Sequence, residues 1–183
     1  MRQHFHAEQW LPYPRELVFA FFANPENLPR LMRRWQKARI EEAMFTPPPP
    51  RPRDSPRYPG IAAGDGTRLT ISIRPFPLSI MRMPWEAVIE DFRWNAGFCD
   101  LQVRGPFAYW RHCHSVQDAN SPKTGLPGTL VSDDVEYELP EFAGLSDLAD
   151  KLFVQPTLGR TFAYRQKRTE ELLARMTGQL PGS

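Results

Sequence analysis

Apolar and polar residues alternate from the start of the chain. Phe5, Ala7 and Leu11 are separated by polar neighbours, with Gln9 out of step, and Pro12 and Pro14 end the run. Period-two spacing of this kind predicts a half-buried first strand. Pro14 suits the opening of a helix, and Leu17, Val18, Phe21 and Phe22 then recur at helical spacing, which predicts an amphipathic helix over residues 14–23. Asn24 closes it and caps a second short helix opened by Pro25 and Glu26, with Leu28, Leu31 and Met32 on its inner side. Alternation returns in Ala38, Ile40 and Met44 and again in Leu69, Ile71 and Ile73, predicting strands two and three. Four more strands are expected over 85–92, 98–104, 108–116 and 129–139, with Gly105-Pro106 as the turn between the middle two. The C-terminal part changes period. A helical stretch begins at Ser146 and Asp147, with a restart at Pro156. Leu158, Phe162, Arg165, Thr169, Leu173 and Met176 then follow one stripe, ended by Gly178 and Pro181.

This order predicts an α+β arrangement. A curved antiparallel sheet of about seven strands wraps the long C-terminal helix, the two short helices after strand 1 plug one end, and an apolar cavity lies between sheet and helix. No internal repeat is present, so residues 1–183 read as one domain. Between strands 2 and 3, residues 46–66 form a proline-rich insertion, in which Pro47 to Pro50, Pro52, Pro56 and Pro59 sit among Arg51, Arg53 and Arg57. Such a segment cannot build sheet ladders and has little to bury, so a solvated loop is expected. The functional alternative is a polyproline ligand for an aromatic groove, which would make the chain a protein-interaction module.

Composition narrows the function classes. The 183 residues are 41% hydrophobic and include 12 Phe, 5 Trp and 5 Tyr, enough apolar material for a real core. Basic and acidic side chains nearly cancel, 23 against 21, so no concentrated positive field calls for a nucleic acid. No stretch approaches the ~20 apolar residues that cross a bilayer, and the N-terminus lacks a leader pattern. A cytoplasmic protein without stable membrane insertion is expected, as a monomer or homodimer. Its two cysteines, Cys99 and Cys113, are then expected to be shielded thiols.

The candidate chemistry lies on the middle strands. Trp110, His112 and His114 are spaced two apart, so they share one strand face and Cys113 takes the other. If the hairpin folds about Pro106, facing residue numbers sum to about 212, which sets Asp100 opposite His112, Gln102 opposite Trp110 and Cys99 near Cys113. On the last strand Asp133 shares a face with Val131, Val135 and Tyr137, and it orients an imidazole only if that face meets the histidines. A carboxylate paired with imidazole in an apolar cup could serve as an acid/base, the chemistry of aldol cyclisation or dehydration. Alternatively, His112, His114, Asp100, Gln102 and Asp133 form a satisfied polar seam that fixes register or orients a carbonyl-bearing ligand. The seam asks for less, because no nucleophile–base–orienter set is visible. His4-x-His6 and His112-x-His114 do not supply the three or four converging ligands of a zinc site, so neither metal nor cofactor is expected. Phe21, Phe22, Trp35, Trp85, Phe98, Trp110, Tyr137, Phe162 and Tyr164 exceed the aromatic needs of a small core, so some are candidates to wall a cavity where the others pack the core, with Arg165 one turn on from Phe162 placed to meet a ligand acid or a surface acid.

Several segments in this order resemble the START-like (SRPBCC) helix-grip superfamily, which includes polyketide cyclases/dehydrases and lipid-transfer proteins. They are Pro14-Arg15-Glu16-Leu17-Val18-Phe19, Asn24-Pro25-Glu26-Asn27-Leu28, the run from Phe98 to Phe107, Trp110-Arg111-His112-Cys113-His114, the run from Asp133 to Pro140, and Phe162-Ala163-Tyr164-Arg165. The likeness is to a bacterial ligand-binding branch. It implies a cavity for a small hydrophobic molecule such as a lipid, quinone or polyketide-like compound, lined by Trp85, Phe98, Asp100, Gln102, Trp110, His112, His114, Asp133, Tyr137, Phe162 and Arg165. The catalytic alternative would use His112, His114 and Asp133.

Overall fold

The structure, a computed structural model, describes residues 2–140 and 154–178. Strand β1 (Gln3–Leu11) is followed by helix α1 (Arg15–Ala23), a 3-10 turn (Pro25–Asn27), the short helix α2 (Leu28–Leu31) and a second 3-10 turn (Arg34–Gln36). Strands β2 (Arg39–Met44), β3 (Arg68–Ile73), β4 (Met83–Arg93), β5 (Gly97–Arg104), β6 (Tyr109–Asn120) and β7 (Pro127–Glu138) then lead to helix α3 (Gln155–Met176). The seven strands form one antiparallel sheet in the order β1-β7-β6-β5-β4-β3-β2. Only the β1–β7 pairing is distant in sequence. This is the expected α+β helix-grip fold, a curved sheet with a long C-terminal helix and short helices after the first strand. Among the described residues no helix is long and apolar enough to cross a membrane.

Local chemistry explains the helix ends. Pro14 precedes α1, where a missing N–H costs nothing, and its carbonyl accepts from Leu17 and Val18. Asn24 caps the following turn by accepting from the Glu26 N–H at 3.1 Å. Asn27, 4% exposed, donates to the Phe21 carbonyl at 2.9 Å and so ties α2 to α1.

Three apolar clusters fill the interior. One joins α1 to Ile89, Phe92, Phe98, Val116, Val131 and the end of α3 through Leu172 and Leu173. A second sets Leu158 and Phe162 of α3 against Trp110, Val135 and Tyr137. The third packs Leu69, Ile71 and Ile73 of β3 against Leu28 and Met32. Leu158, Phe162, Thr169 and Leu173 are buried as expected, whereas Met176 is 42% exposed and Leu172 and Ala174 take the inner positions of the last turn. The helical start expected at Ser146 and Asp147 lies outside the described residues, as does Pro181.

Two expectations are corrected. Cys99 and Cys113 are not thiols but a disulfide: the β5–β6 register places them directly opposite one another, with Cα atoms 4.0 Å apart. The expectation rested on compartment, while the bond follows from register. Residues 46–66 are not merely solvated either. The Trp94 indole N–H donates to the Pro49 carbonyl at 2.7 Å, Arg51 lies 4.1 Å over the same ring, and Tyr58, Ala62 and Ala63 pack on the first cluster. The Ala63 N–H donates to the Ala23 carbonyl and the Gly66 N–H to the Ile89 carbonyl, holding the segment against α1 and β4, and the Gly64 N–H closes it on the Thr46 carbonyl. Buried Ala63 and partly buried Tyr58 and Ala62 supply the packing that proline content alone concealed.

Candidate functional site

A cavity of about 240 Å³ lies where the three clusters meet, beneath α3 and behind α1 and α2. Its walls are apolar side chains of α1, α2, β3, β4 and α3, and its polar floor comes from β5 and β6. Of the residues singled out from the sequence, Phe21, Phe22, Trp85, Phe98, Asp100, Trp110, His112, His114, Phe162 and Arg165 line it, whereas Trp35 and Tyr164 do not. Asp133 and Tyr137 stand behind that lining. Gln102 is turned away as well: the β5–β6 ladder runs only to Leu101 opposite Arg111, so the pairing of Gln102 with Trp110 is not made, and the Gln102 amide instead donates to the Phe107 carbonyl at 2.8 Å.

The floor is built by strand register. Asp100 faces His112 and Phe98 faces His114 across β5–β6, the pairing in which numbers sum to 212. Gly97 permits this close crossing, since a Cβ there would lie 2.3 Å from the His114 carbonyl oxygen. On the other side, β6–β7 places Asp133 opposite His114 and Val135 opposite His112. The aspartate therefore reaches both rings: its Oδ1 accepts from His112 Nε2 at 2.9 Å and lies 2.7 Å from His114 Nδ1. Asp100 Oδ2 lies 3.1 Å from His112 Nδ1. His112, His114 and Asp133 are 2%, 7% and 7% exposed.

Aromatic neighbours fix the rings. His114 is stacked on Phe22 of α1 with centroids 5.1 Å apart, and Phe98 packs on it at 5.1 Å. His112 meets the edge of Phe162 at 5.4 Å, and Arg165 lies over that same phenyl ring at 5.1 Å. Arg165 lines the cavity, and its charge acts on Asp100 and His114.

Burial and charge set the protonation states. Burial pushes the His112 pKa down, but the Asp100 charge and contacts to both aspartates outweigh it, so this imidazole holds its proton above the usual range. His114 goes the other way, because burial and the neighbouring His112 charge outweigh Asp133 and favour the neutral ring. Burial also pushes both carboxyls up. At Asp100 the His112 charge reverses this, and at Asp133 the two imidazoles hold the carboxyl well below the usual range. The floor thus contains one ring that favours the proton and one that favours losing it. In addition, Asp100, His112 and His114 could hold a metal ion, since one ligand atom from each falls within a set spanning no more than 4.8 Å.

Sequence reasoning did not assign to the cavity Asn27 of the 3-10 turn, Leu31 of α2, Leu69 and Ile71 of β3 or Ala87 of β4, all of which line it. The alternation of Leu69, Ile71 and Ile73 carried that signal, but only tertiary packing shows that the inner face of β3 borders a void.

No protein-family profile matches the chain. No curated protein matches it either. Solved structures do. TTHA0849 from Thermus thermophilus superposes with a TM-score of 0.59 at 19% identity, over 96% of this chain and 98% of that one. Norcoclaurine synthase from Thalictrum flavum, in complex with dopamine and hydroxybenzaldehyde, gives 0.58 at 13% identity over 96% and 88%. Ara h 8.0201 gives 0.55 at 14% identity over 92% and 98%. At these identities the likeness establishes a shared fold, the helix-grip architecture.

Proposed function

We propose that this chain binds a small, largely apolar molecule in the cavity beneath α3, with Asp100, His112 and His114 orienting the polar end of that molecule and Arg165 available to an acidic or carbonyl oxygen. The observation that carries the proposal is a void walled by apolar side chains and closed on one side by a convergent set of buried titratable groups. Small-molecule sites combine these two features, and their volumes start at about 300 Å³, close to the 240 Å³ here. Lipids, quinones and polyketide-like compounds share the required chemistry. Burial of apolar surface at roughly 25 cal/mol per Å² provides the affinity. The fold's occurrence in a structure solved with dopamine and hydroxybenzaldehyde is consistent with a ligand in this position.

The test is fluorescence titration with N-phenyl-naphthylamine, followed by displacement with a panel of fatty acids, quinones and aromatic polyketides. One probe per chain is expected. Ala87→Phe, which fills the cavity from β4, should weaken binding at least tenfold, whereas the exposed Leu78→Ser should not. Absence of probe binding, and of stabilisation by every panel member, would refute the proposal.

A second reading rests on the two buried imidazoles that share Asp133 at the edge of an apolar cavity. Such a pair suits acid/base work on a bound carbonyl compound, as in cyclisation or dehydration. Loss of turnover with retained binding in His114→Gln would support it, and unchanged turnover would dismiss it.

A further inference from the structure

The donors on the cavity floor have the layout of a coordination site. Asp100, His112 and His114 all line the cavity, while Asp133 lies behind the two imidazoles. Asp100 Oδ2 and His112 Nδ1 are 3.1 Å apart, so the carboxylate faces the front nitrogen of the ring. Two ligands on one ion with bonds of about 2.1 Å lie about 3.0–3.4 Å apart at octahedral to tetrahedral angles. The observed spacing therefore fits neighbouring ligands.

His114 is a second, independent pointer. It is 93% buried, since its exposure is 7%, and its Nδ1, 2.7 Å from Asp133 Oδ1, makes no aligned hydrogen bond among the described residues. Its Nδ1 faces Asp133, which leaves Nε2 as the free donor of a cavity-lining ring. A buried polar side chain without a hydrogen-bond partner calls for an explanation.

Asp133 completes the pattern. Its Oδ1 accepts from His112 Nε2, so His112 presents Nδ1 to the front, and the same oxygen stands beside His114 Nδ1. A carboxylate behind a ligating imidazole selects its tautomer, holds its ring orientation and raises its basicity. Here Asp133 does this for His112 through Nε2, while its charge lies beside His114 Nδ1. Cys113, between the two histidines, is tied to Cys99 on the outer face and takes no part.

We propose that Asp100 Oδ2, His112 Nδ1 and His114 Nε2 form a two-histidine, one-carboxylate site for a divalent first-row transition ion, with its remaining coordination positions open to the apolar cavity. Nitrogen and oxygen donors of this kind suit Zn²⁺, Fe²⁺ and Co²⁺ rather than Ca²⁺ or Mg²⁺. The open positions would take an oxygen donor, so the cavity ligand becomes an apolar molecule carrying a carbonyl, carboxylate or enolate oxygen. That last step rests on the binding function proposed above, whereas ion binding does not.

The test is calorimetric titration of tag-free, chelator-treated protein with Zn²⁺, together with the visible absorption of added Co²⁺. One ion per chain is expected, with the absorption of a nitrogen- and oxygen-coordinated, low-symmetry Co²⁺ centre. Asp100→Asn and His114→Gln should each weaken binding by more than 100-fold. Asp133→Asn should weaken it by about 10–100-fold, as for residues behind a ligand. His6→Gln, at the surface, should leave it unchanged. Circular dichroism of each variant separates loss of the site from loss of the fold. No stoichiometric uptake by folded wild-type protein, or uptake indifferent to Asp100→Asn in a folded variant, overturns the proposal. Zn²⁺ binding without N-phenyl-naphthylamine binding would leave the ion site standing and refute the apolar-ligand function instead.

Discussion

Asp133 Oδ1 accepts a hydrogen bond from His112 Nε2 at 2.9 Å, from a strand that is not the histidine's hairpin partner through Gly105-Pro106. The bond links β6 to β7 inside the protein, between residues 2% and 7% exposed. Removing one partner of a buried pair leaves the other uncompensated, at about 3–5 kcal/mol. Asp133→Asn keeps an acceptor for His112 but loses the charge, so a loss near the lower end, about 3 kcal/mol, is expected. Urea unfolding of chelator-treated protein measures it, and a loss below about 1 kcal/mol would mean that the pair is dispensable.

Phe162 joins the helix to the floor. It is 2% exposed, packs on Phe5 with centroids 5.0 Å apart and meets the edge of His112. Phe162→Ala should cost about 3–5 kcal/mol in the same unfolding experiment, because the cavity already beside it hinders collapse of the surroundings. Binding of the apolar probe should weaken in parallel.

The outer face of β5–β6 carries the disulfide. Thiol titration of the denatured, unreduced protein should find no free thiol, since Cys99 and Cys113 are both bonded. Their separation of 14 residues corresponds to a stabilisation of about 3 kcal/mol in the chain-entropy account. Reduction should therefore lower stability by up to that amount, and two titrating thiols would contradict the bond.

The pairs that sequence could place were those joined by a short turn. Alternation together with Gly105-Pro106 gave Asp100 opposite His112 and Cys99 opposite Cys113, because a hairpin fixes register locally. Asp133 was placed on a face but not against a partner. The β6–β7 connection at residues 121–126 does not announce its register, and β1 reaches β7 from the far end of the chain. Phe22 stacking on His114 needs the angle at which α1 crosses the sheet, which no periodicity encodes. Arg165 fell on the inner stripe of α3 by helical spacing alone. The burial of Tyr58, Ala62 and Ala63 against the first cluster was hidden by the prolines around them.

A surface pair gives a pH dependence with a defined sign. His6 Nδ1 lies 2.6 Å from Asp134 Oδ1 on the paired strand, and this contact, with the Asp134 and Glu8 charges, raises the imidazole pKa above 6.5 against the opposing effect of desolvation. A raised native pKa stabilises the fold fully below the unfolded value of about 6.5, and the contribution disappears as pH rises through the native value. The ring is 55% exposed, so water and salt limit the effect to the roughly 0.2–1 kcal/mol typical of surface pairs. His6→Gln should thus be less stable than wild type near about pH 5.5 and equal to it in mildly alkaline buffer. Thermal melts at the two pH values decide, and a difference that grows with pH would contradict the pairing.

Native mass spectrometry of tag-free protein, purified from its own host without organic solvent, bears most directly on the cavity. The expected spectrum shows one small organic molecule per chain, released by organic extraction and absent from Ala87→Phe. A bare chain of 21.2 kDa that also takes up nothing from a lipid and quinone extract of that host would contradict a ligand-binding cavity beneath the C-terminal helix.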